Sequence, residues 1–260
     1  MDIYTLERGR APLLISLPHD GSHIPPAIAA RMRPAARRSP DTDWHVGRLY
    51  APLASALGAS VLRPRASRYV VDLNRPADGQ ALYPGRRETG LVSTIGFDGE
   101  PLYLDTAGEP PAAEVRQRVS DYWQPYHAAL QQELARLRAL HGRVVLWEGH
   151  SIRGQVPLLF EGQLPHFNLG TADGASCSPQ LQQRLAGQLQ ACAGFSAVVN
   201  GRFKGGYITR HYGRPAEGIE AIQLELVQST YMDEDSFAYD EVKASRVQPI
   251  IESLLRTCLA

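Results

Sequence analysis

Two histidines in this chain sit where short apolar runs stop: His19 follows Leu13-Leu14-Ile15-Ser16-Leu17-Pro18, and His150 closes Val144-Val145-Leu146-Trp147-Glu148-Gly149. Imidazole is the commonest protein ligand for zinc, and a catalytic zinc takes three His, Asp or Glu side chains while one position stays open to water. His19 and His150 can serve as a pair if their runs become neighbouring strands. No local HExxH spacing is present, and the plainer reading of each alone is a turn histidine bonded to backbone.

A third ligand is offered by Asp41-Thr42-Asp43-Trp44-His45, where Asp43 ranks above His45. Asp41 is a candidate N-cap for the helix that follows, and Asp43 reads alternatively as a first-turn carboxylate favoured by the helix dipole. His23 could share a metal with His19 on a helical turn, but Pro25 and Pro26 oppose that turn. Glu225 lies on an alternating run with Ile222, Leu224 and Leu226 and points away from the leucine face. A carboxylate there is costly unless paired, which suits a general base acting on metal-activated water; an exposed edge-strand Glu is the plainer alternative. Arg68, Asn74 and Arg75 flank one apolar run, and Arg202, Lys204 and Arg210 crowd a glycine-rich one. Arginine is suited to bidentate carboxylate binding.

These groups require elements to hold them. Leu13 to Leu17, Ser60 to Leu62, Tyr69 to Leu73, Val144 to Trp147, Phe195 to Val199 and the run around Ile222 to Val227 read as strands. Val46 to Leu57, ended by Gly58, has helical spacing, as do Ala113 to Leu140 with Pro125 as a kink or a second start, Pro179 to Cys192 and Asp240 to Leu259. Strands alternating with helices predict an α/β fold with a mixed, mainly parallel sheet and helices on both faces. Residues 76–112, rich in Gly and Pro without a sustained period, read as a long surface excursion of the kind that often forms a lid, within one domain spanning 1–260.

Equal numbers of basic and acidic residues, 27 each, give no reason to expect nucleic acid or an anionic membrane as partner. Three widely spaced cysteines suggest neither a disulfide framework nor a thiolate zinc site. The charged N-terminal segment and the absence of an apolar run near 18 residues point to a cytoplasmic protein. Oligomeric state is not legible from the residues.

Taken together, Pro18-His19-Asp20-Gly21, Asp41 to His45, Ser67 to Pro76, Gly149 to Arg153, Asn200 to Gly213 and Gln223 to Leu226 resemble the N-formylglutamate amidohydrolases over almost the whole chain. The most specific pieces are Asp-Leu-Asn-Arg-Pro and Asn-Gly-Arg-Phe-Lys-Gly-Gly-Tyr-Ile-Thr-Arg-His-Tyr-Gly. That family is distantly similar to the zinc carboxypeptidases. The resemblance implies a carboxypeptidase-like fold, one zinc ion on His19 and His150, a substrate carboxylate on Asn74 and Arg75, and Glu225 as base. The carboxypeptidase motif His-x-x-Glu has Ser22 in place of Glu here, so Asp43 is the expected second kind of ligand. It further implies hydrolysis of N-formyl-L-glutamate in histidine breakdown, with Arg68 at the oxyanion and Lys204 or Arg210 on the second carboxylate of a small-molecule substrate. Related N-acyl-amino-acid amidohydrolases, small carboxypeptidases and a non-catalytic dicarboxylate binder are the alternatives.

Overall fold

The computed structural model describes residues 2–82, 85 and 88–260, so that four residues of the 76–112 excursion lie outside it. In chain order the elements are β1 (Tyr4–Glu7), β2 (Leu13–Ser16), α1 (Pro26–Ala29), α2 (Val46–Leu57), β3 (Ser60–Pro64), α3 (Ala112–Arg118), α4 (Gln124–His141), β4 (Val144–Ile152), β5 (Phe167–Gly170), α5 (Pro179–Gln190), β6 (Ala197–Val199), α6 (Tyr207–Tyr212), β7 (Ile219–Val227) and α7 (Glu241–Leu259). The strands form one sheet in the order β1-β3-β2-β4-β7-β5-β6. Its four central members run parallel, while β1 and the β5-β6 pair run against them. This is the mixed, mainly parallel sheet that the alternation of strands and helices predicts.

Both faces are covered. Leu13, Ile15, Trp147, Leu224 and Leu226 pack under α2, α5 and α7, whereas Leu14, Leu146 and Ala221 pack under α4. The α2 helix stops at Gly58, whose φ of 64° gives the left-handed C-cap that glycine adopts without steric cost. Successive side chains of a strand alternate between faces, so Leu14 and Ser16, Leu146, Glu148 and His150, and Ala221, Gln223 and Glu225 all project to the α4 face. The register aligns Leu14 with Leu146, Glu148 with Gln223, and His150 with Glu225. That face is therefore apolar at the strand beginnings and polar at their carboxyl ends, where parallel α/β sheets place ligands.

Two expectations are corrected. Tyr69 to Leu73 is not a strand: the segment turns at Arg68–Val70 and runs irregularly beneath the excursion, with the Asp72 N–H bonded to the Leu91 carbonyl. Its apolar residues are buried in two different clusters, Tyr69 and Val70 in one, Val71 and Leu73 in another, which is why a run with strand composition needs no ladder. Asp41 does not cap α2, because its carboxylate accepts the Phe97 N–H (2.8 Å). His45, in the left-handed region at φ 64°, occupies the N-cap position, and Asp20 accepts the Gly47 N–H at the helix start (2.8 Å). The 112–141 region is helical with a π-helical stretch, Val119–Trp123, just before Pro125.

His127 on α4 ties this framework to the irregular segment. Its Nε2 donates to the Leu73 carbonyl (2.8 Å), its Nδ1 accepts from the Tyr212 hydroxyl (2.9 Å), and Trp123 stacks on it at 3.7 Å. Burial pushes its pKa down from 6.5 to about 4. Between those values only the unfolded chain takes the proton, so this stability is complete above pH 6.5 and declines as pH falls toward 4. At 1.36 kcal/mol per unit, the loss is about 3 kcal/mol. The variant His127→Gln should flatten the decline in urea midpoints between pH 7.5 and 4.5; a slope as steep as the parent's would exclude His127 as its source.

Candidate active site

The polar ends of β2, β4 and β7 meet two turns. His19 follows β2, and the Asp43 N–H donates to the His19 carbonyl (3.0 Å). The carbonyls of both neighbours of Asp43 are also held: that of Thr42 accepts from Gln228 Nε2 (3.2 Å) and that of Trp44 from the Tyr231 hydroxyl (2.9 Å). The strained His45 backbone, a conformation costing roughly 1–3 kcal/mol, completes the bend that aims Asp43 inward. Gly149 lies between Glu148 and His150 because a Cβ on the other face would stand 2.7 Å from a Leu17 methyl and 3.1 Å from the Tyr50 ring.

Here His19, Asp43 and His150 converge, with ligand atoms all within 4.8 Å of one another. The His19 and His150 ring centroids are 4.9 Å apart. His150 Nδ1 is 2.9 Å from Asp43 Oδ2, and His19 Nδ1 is 3.8 Å from the same oxygen. The outer nitrogens are taken by other carboxylates: His19 Nε2 by Asp72 Oδ1 (2.7 Å) and His150 Nε2 by Glu148 Oε1 (2.8 Å). Asn74 Nδ2 also lies 3.1 Å from His150 Nε2. Such carboxylate–imidazole pairs orient metal-ligating histidines and raise their basicity. Glu148 is fixed in turn by the backbone N–H (3.0 Å) and hydroxyl of Thr209.

Charge argues the same way. Asp43, Asp72, Glu148 and Glu225 are exposed by 2%, 2%, 0% and 7%. An isolated buried charge costs several kcal/mol, more than the roughly 1.5–3 kcal/mol a buried leucine contributes, so four buried acids require cations or, as burial favours for Glu225, a proton. Arg68 supplies one, 2.8 Å from Asp72 and 4.0 Å from Asp43. Burial alone would lower the His150 pKa, but the hydrogen bonds it donates to the Asp43 and Glu148 carboxylates hold it well above 6.5. Burial and then Arg68 push His19 below it. Burial would raise Asp72, yet His19 and Arg68 hold it well below the usual range. Among the described residues this is the group suited to a metal ion, and its donor set of two imidazoles and a carboxylate fits a divalent cation.

Glu225 is on a central strand, buried rather than exposed at an edge. Burial pushes its pKa up to about 8. The Gln223 amide, two residues earlier on the same face, reaches it at 3.5 Å and accepts the Gly206 N–H at 2.7 Å. Glu225, Asn74, Arg68 and Arg75 line the same pocket of about 620 Å³ as the cluster, part of it open to solvent, together with Leu82, Glu88, Thr89 and Phe97 of the excursion. Arg75 pairs with Glu88 (2.9 Å). Asn74 is positioned through its Oδ1, which accepts the Ile208 N–H (2.9 Å).

Other expected groups lie elsewhere. His45 turns away to the Phe237 carbonyl (2.8 Å), and His23 bridges to Ala66 outside the pocket. The Lys204 ammonium pairs with Asp173 (3.0 Å), and Arg210 is exposed with its Nε on the Gly205 carbonyl (2.9 Å). Asp72, Glu148 and Gln223 were not singled out by spacing, although Glu148 and Gln223 each stand two residues before a candidate on the same strand face. Arg202 of the glycine-rich segment is at the pocket wall.

The N-formylglutamate amidohydrolase family model matches residues 11–232. The N-formylglutamate deformylase of Pseudomonas aeruginosa is 51% identical, covering 100% of this chain and 97% of its own, and that of Pseudomonas putida is 49% identical, covering 99% and 96%. The crystal structure of N-formylglutamate amidohydrolase from Ralstonia eutropha JMP134 superposes with a TM-score of 0.82 at 27% identity, over 99% of this chain and 97% of that one. No described helix is long and apolar enough to cross a membrane.

The outer carboxylates should be measurable through metal affinity. Asp72→Asn and Glu148→Gln are each expected to weaken binding of a divalent ion 10–100-fold, the usual cost of removing such a partner, in competition with a chromogenic chelator. Parent-like affinity in both variants would deny them that role.

Proposed function

The chain belongs to the N-formylglutamate amidohydrolase family, and on that premise we propose that it hydrolyses N-formyl-L-glutamate to formate and L-glutamate using one zinc ion held by His19, Asp43 and His150. The observation that carries this reading is the pairing of His150 with Glu225 in strand register, beside Asp43 and His19 in a pocket that Arg68 and Arg75 also line. Zinc bound there would supply Lewis acidity to the formyl carbonyl and to the attacking water.

The chain's own residues do the rest. Glu225, steadied by Gln223, takes a proton from water as the new C–O bond forms, then returns it to nitrogen as the C–N bond breaks. A raised pKa brings such a group near the operating pH, where proton acceptance and return are both accessible. Positive charge on the neighbouring ligands' side draws that pKa down and favours the basic form. The Arg68 guanidinium, held by Asp72, offers preorganised charge where the oxyanion grows. Formyl is too small to orient the substrate, so the glutamate carboxylates must do so. Arg75 would take the one beside the scissile amide, and Asn74, whose amide contacts His150 and Ile208, keeps that arginine next to the reacting centre. We also propose that formylglutamate reaches this site from histidine breakdown, on the strength of the family resemblance alone.

Glu225→Gln should bind zinc with unchanged stoichiometry while turnover of N-formylglutamate falls by about 10² or more, the scale of general-base loss. Chelation should stop the parent and zinc restore it. Undiminished turnover after chelation would remove the metal from the reaction, and faster cleavage of acetyl- or peptidyl-glutamate would replace the deformylase reading.

A further inference from the structure

A glutamate derivative carries a second carboxylate, and the chain must meet it with a second cation. We propose that Arg202 reads this distal carboxylate and makes the pocket selective for N-formyl amino acids with an acidic side chain; the inference rests on the function proposed above. Lys204 and Arg210, the nearby cations in sequence, are bonded to Asp173 and to the Gly205 carbonyl respectively, and neither lines the pocket. Arg202, itself bonded, does line it. Its Nε donates to the Leu159 carbonyl (2.8 Å) and its guanidinium carbon lies 5.4 Å from the Phe203 ring centre, contacts that fix the plane of the fork.

The loop bearing Arg202 is pinned at both ends. Asn200, in the left-handed region at φ 53°, exchanges two 2.8 Å hydrogen bonds with Thr171. The Lys204 carbonyl accepts the Ala172 N–H (2.6 Å), and the Gly206 N–H reaches Gln223. A side chain on such a loop is held in place before substrate arrives, which lowers the ordering cost of recognition. Arg75 lines the pocket beside Asn74, which touches His150, and the proposed function gives it the carboxylate next to the scissile bond. Arg202 stands on a different loop, among Leu159 and Phe203, where the substrate's methylenes find apolar surface and its far end a guanidinium.

L-Glutamate and L-glutamine differ only at that far end, and their binding to the zinc-loaded protein can be compared by titration calorimetry alongside kcat/KM for the two N-formyl derivatives. The parent should prefer the acid by about 10²-fold, the kind of discrimination a site built around a polar group achieves. Arg202→Gln should cut that preference at least tenfold in both measurements, and Arg202→Lys should restore part of it. An unchanged ratio in Arg202→Gln, no preference in the parent, or a collapse produced by Lys204→Gln instead would overturn the inference. A parent that binds glutamate selectively through Arg202 but leaves N-formylglutamate uncleaved would defeat the proposed function and leave this assignment standing.

Discussion

The arrangement rests on a concentration of buried negative charge at the carboxyl ends of three parallel strands. Asp43, Asp72, Glu148 and Glu225 are withdrawn from water around two imidazoles, a combination that apolar packing cannot offset. The fold tolerates it because each acid has an assigned cationic or hydrogen-bonding partner: Asp72 has Arg68 and His19, Glu148 has Thr209 and His150. Asp43 is the acid shared by both histidines.

Strand parity turns a helix-covered sheet into this site. The face that presents Leu14, Leu146 and Ala221 to α4 presents Ser16, Glu148 and Gln223 one step further along, then His150 and Glu225. Backbone hydrogen bonding fixes the register, so the spacing between His150 and Glu225 is as rigid as the sheet. The complementary side comes from irregular chain: the turn at Asp43 and the Arg68 to Arg75 segment. The Ser39 hydroxyl bonds both Ser67 and Thr42 (2.5 and 2.8 Å), coupling those two turns.

Periodicity made the sheet legible, and with it His19, His150 and Glu225, because a strand's end and parity can be counted. The Asp43 turn was legible as chemistry but not as geometry. Asp41 has the composition of a cap, yet its role depends on Phe97, which approaches from a distant excursion. Tyr69 to Leu73 misled for a related reason: apolar, β-branched composition reports burial as readily as it reports a ladder. Asp72 was hidden by that misassignment, since a residue counted as mid-strand is not expected to turn its carboxylate into a site. Glu148 could have been found by asking which residue shares a face with His150 two positions away. Among the cations, composition cannot separate Arg202 from Lys204 or Arg210; that only Arg202 of the three lines the pocket is a tertiary fact.

The cations of the pocket are already engaged, and this bears on how a dianion would enter. Arg75 holds Glu88, which also accepts the Leu82 N–H (2.9 Å), and Arg68 holds Asp72. A substrate carboxylate arriving at Arg75 therefore shares or replaces an existing carboxylate contact instead of desolvating a bare guanidinium. Exchange of one carboxylate for another is nearly balanced in charge, so the net gain is small unless the ligand's geometry suits the fork better than Glu88 does. Under the proposed function, selectivity would then come from placing both ends at once, with Arg202 at the distal one, not from the Arg75 ion pair alone. A pocket organised in this way would discriminate by the distance between two carboxylates, which is a property of the ligand's carbon chain and, for the proposed substrate, the feature that a formyl group, too small to be gripped, leaves available for recognition.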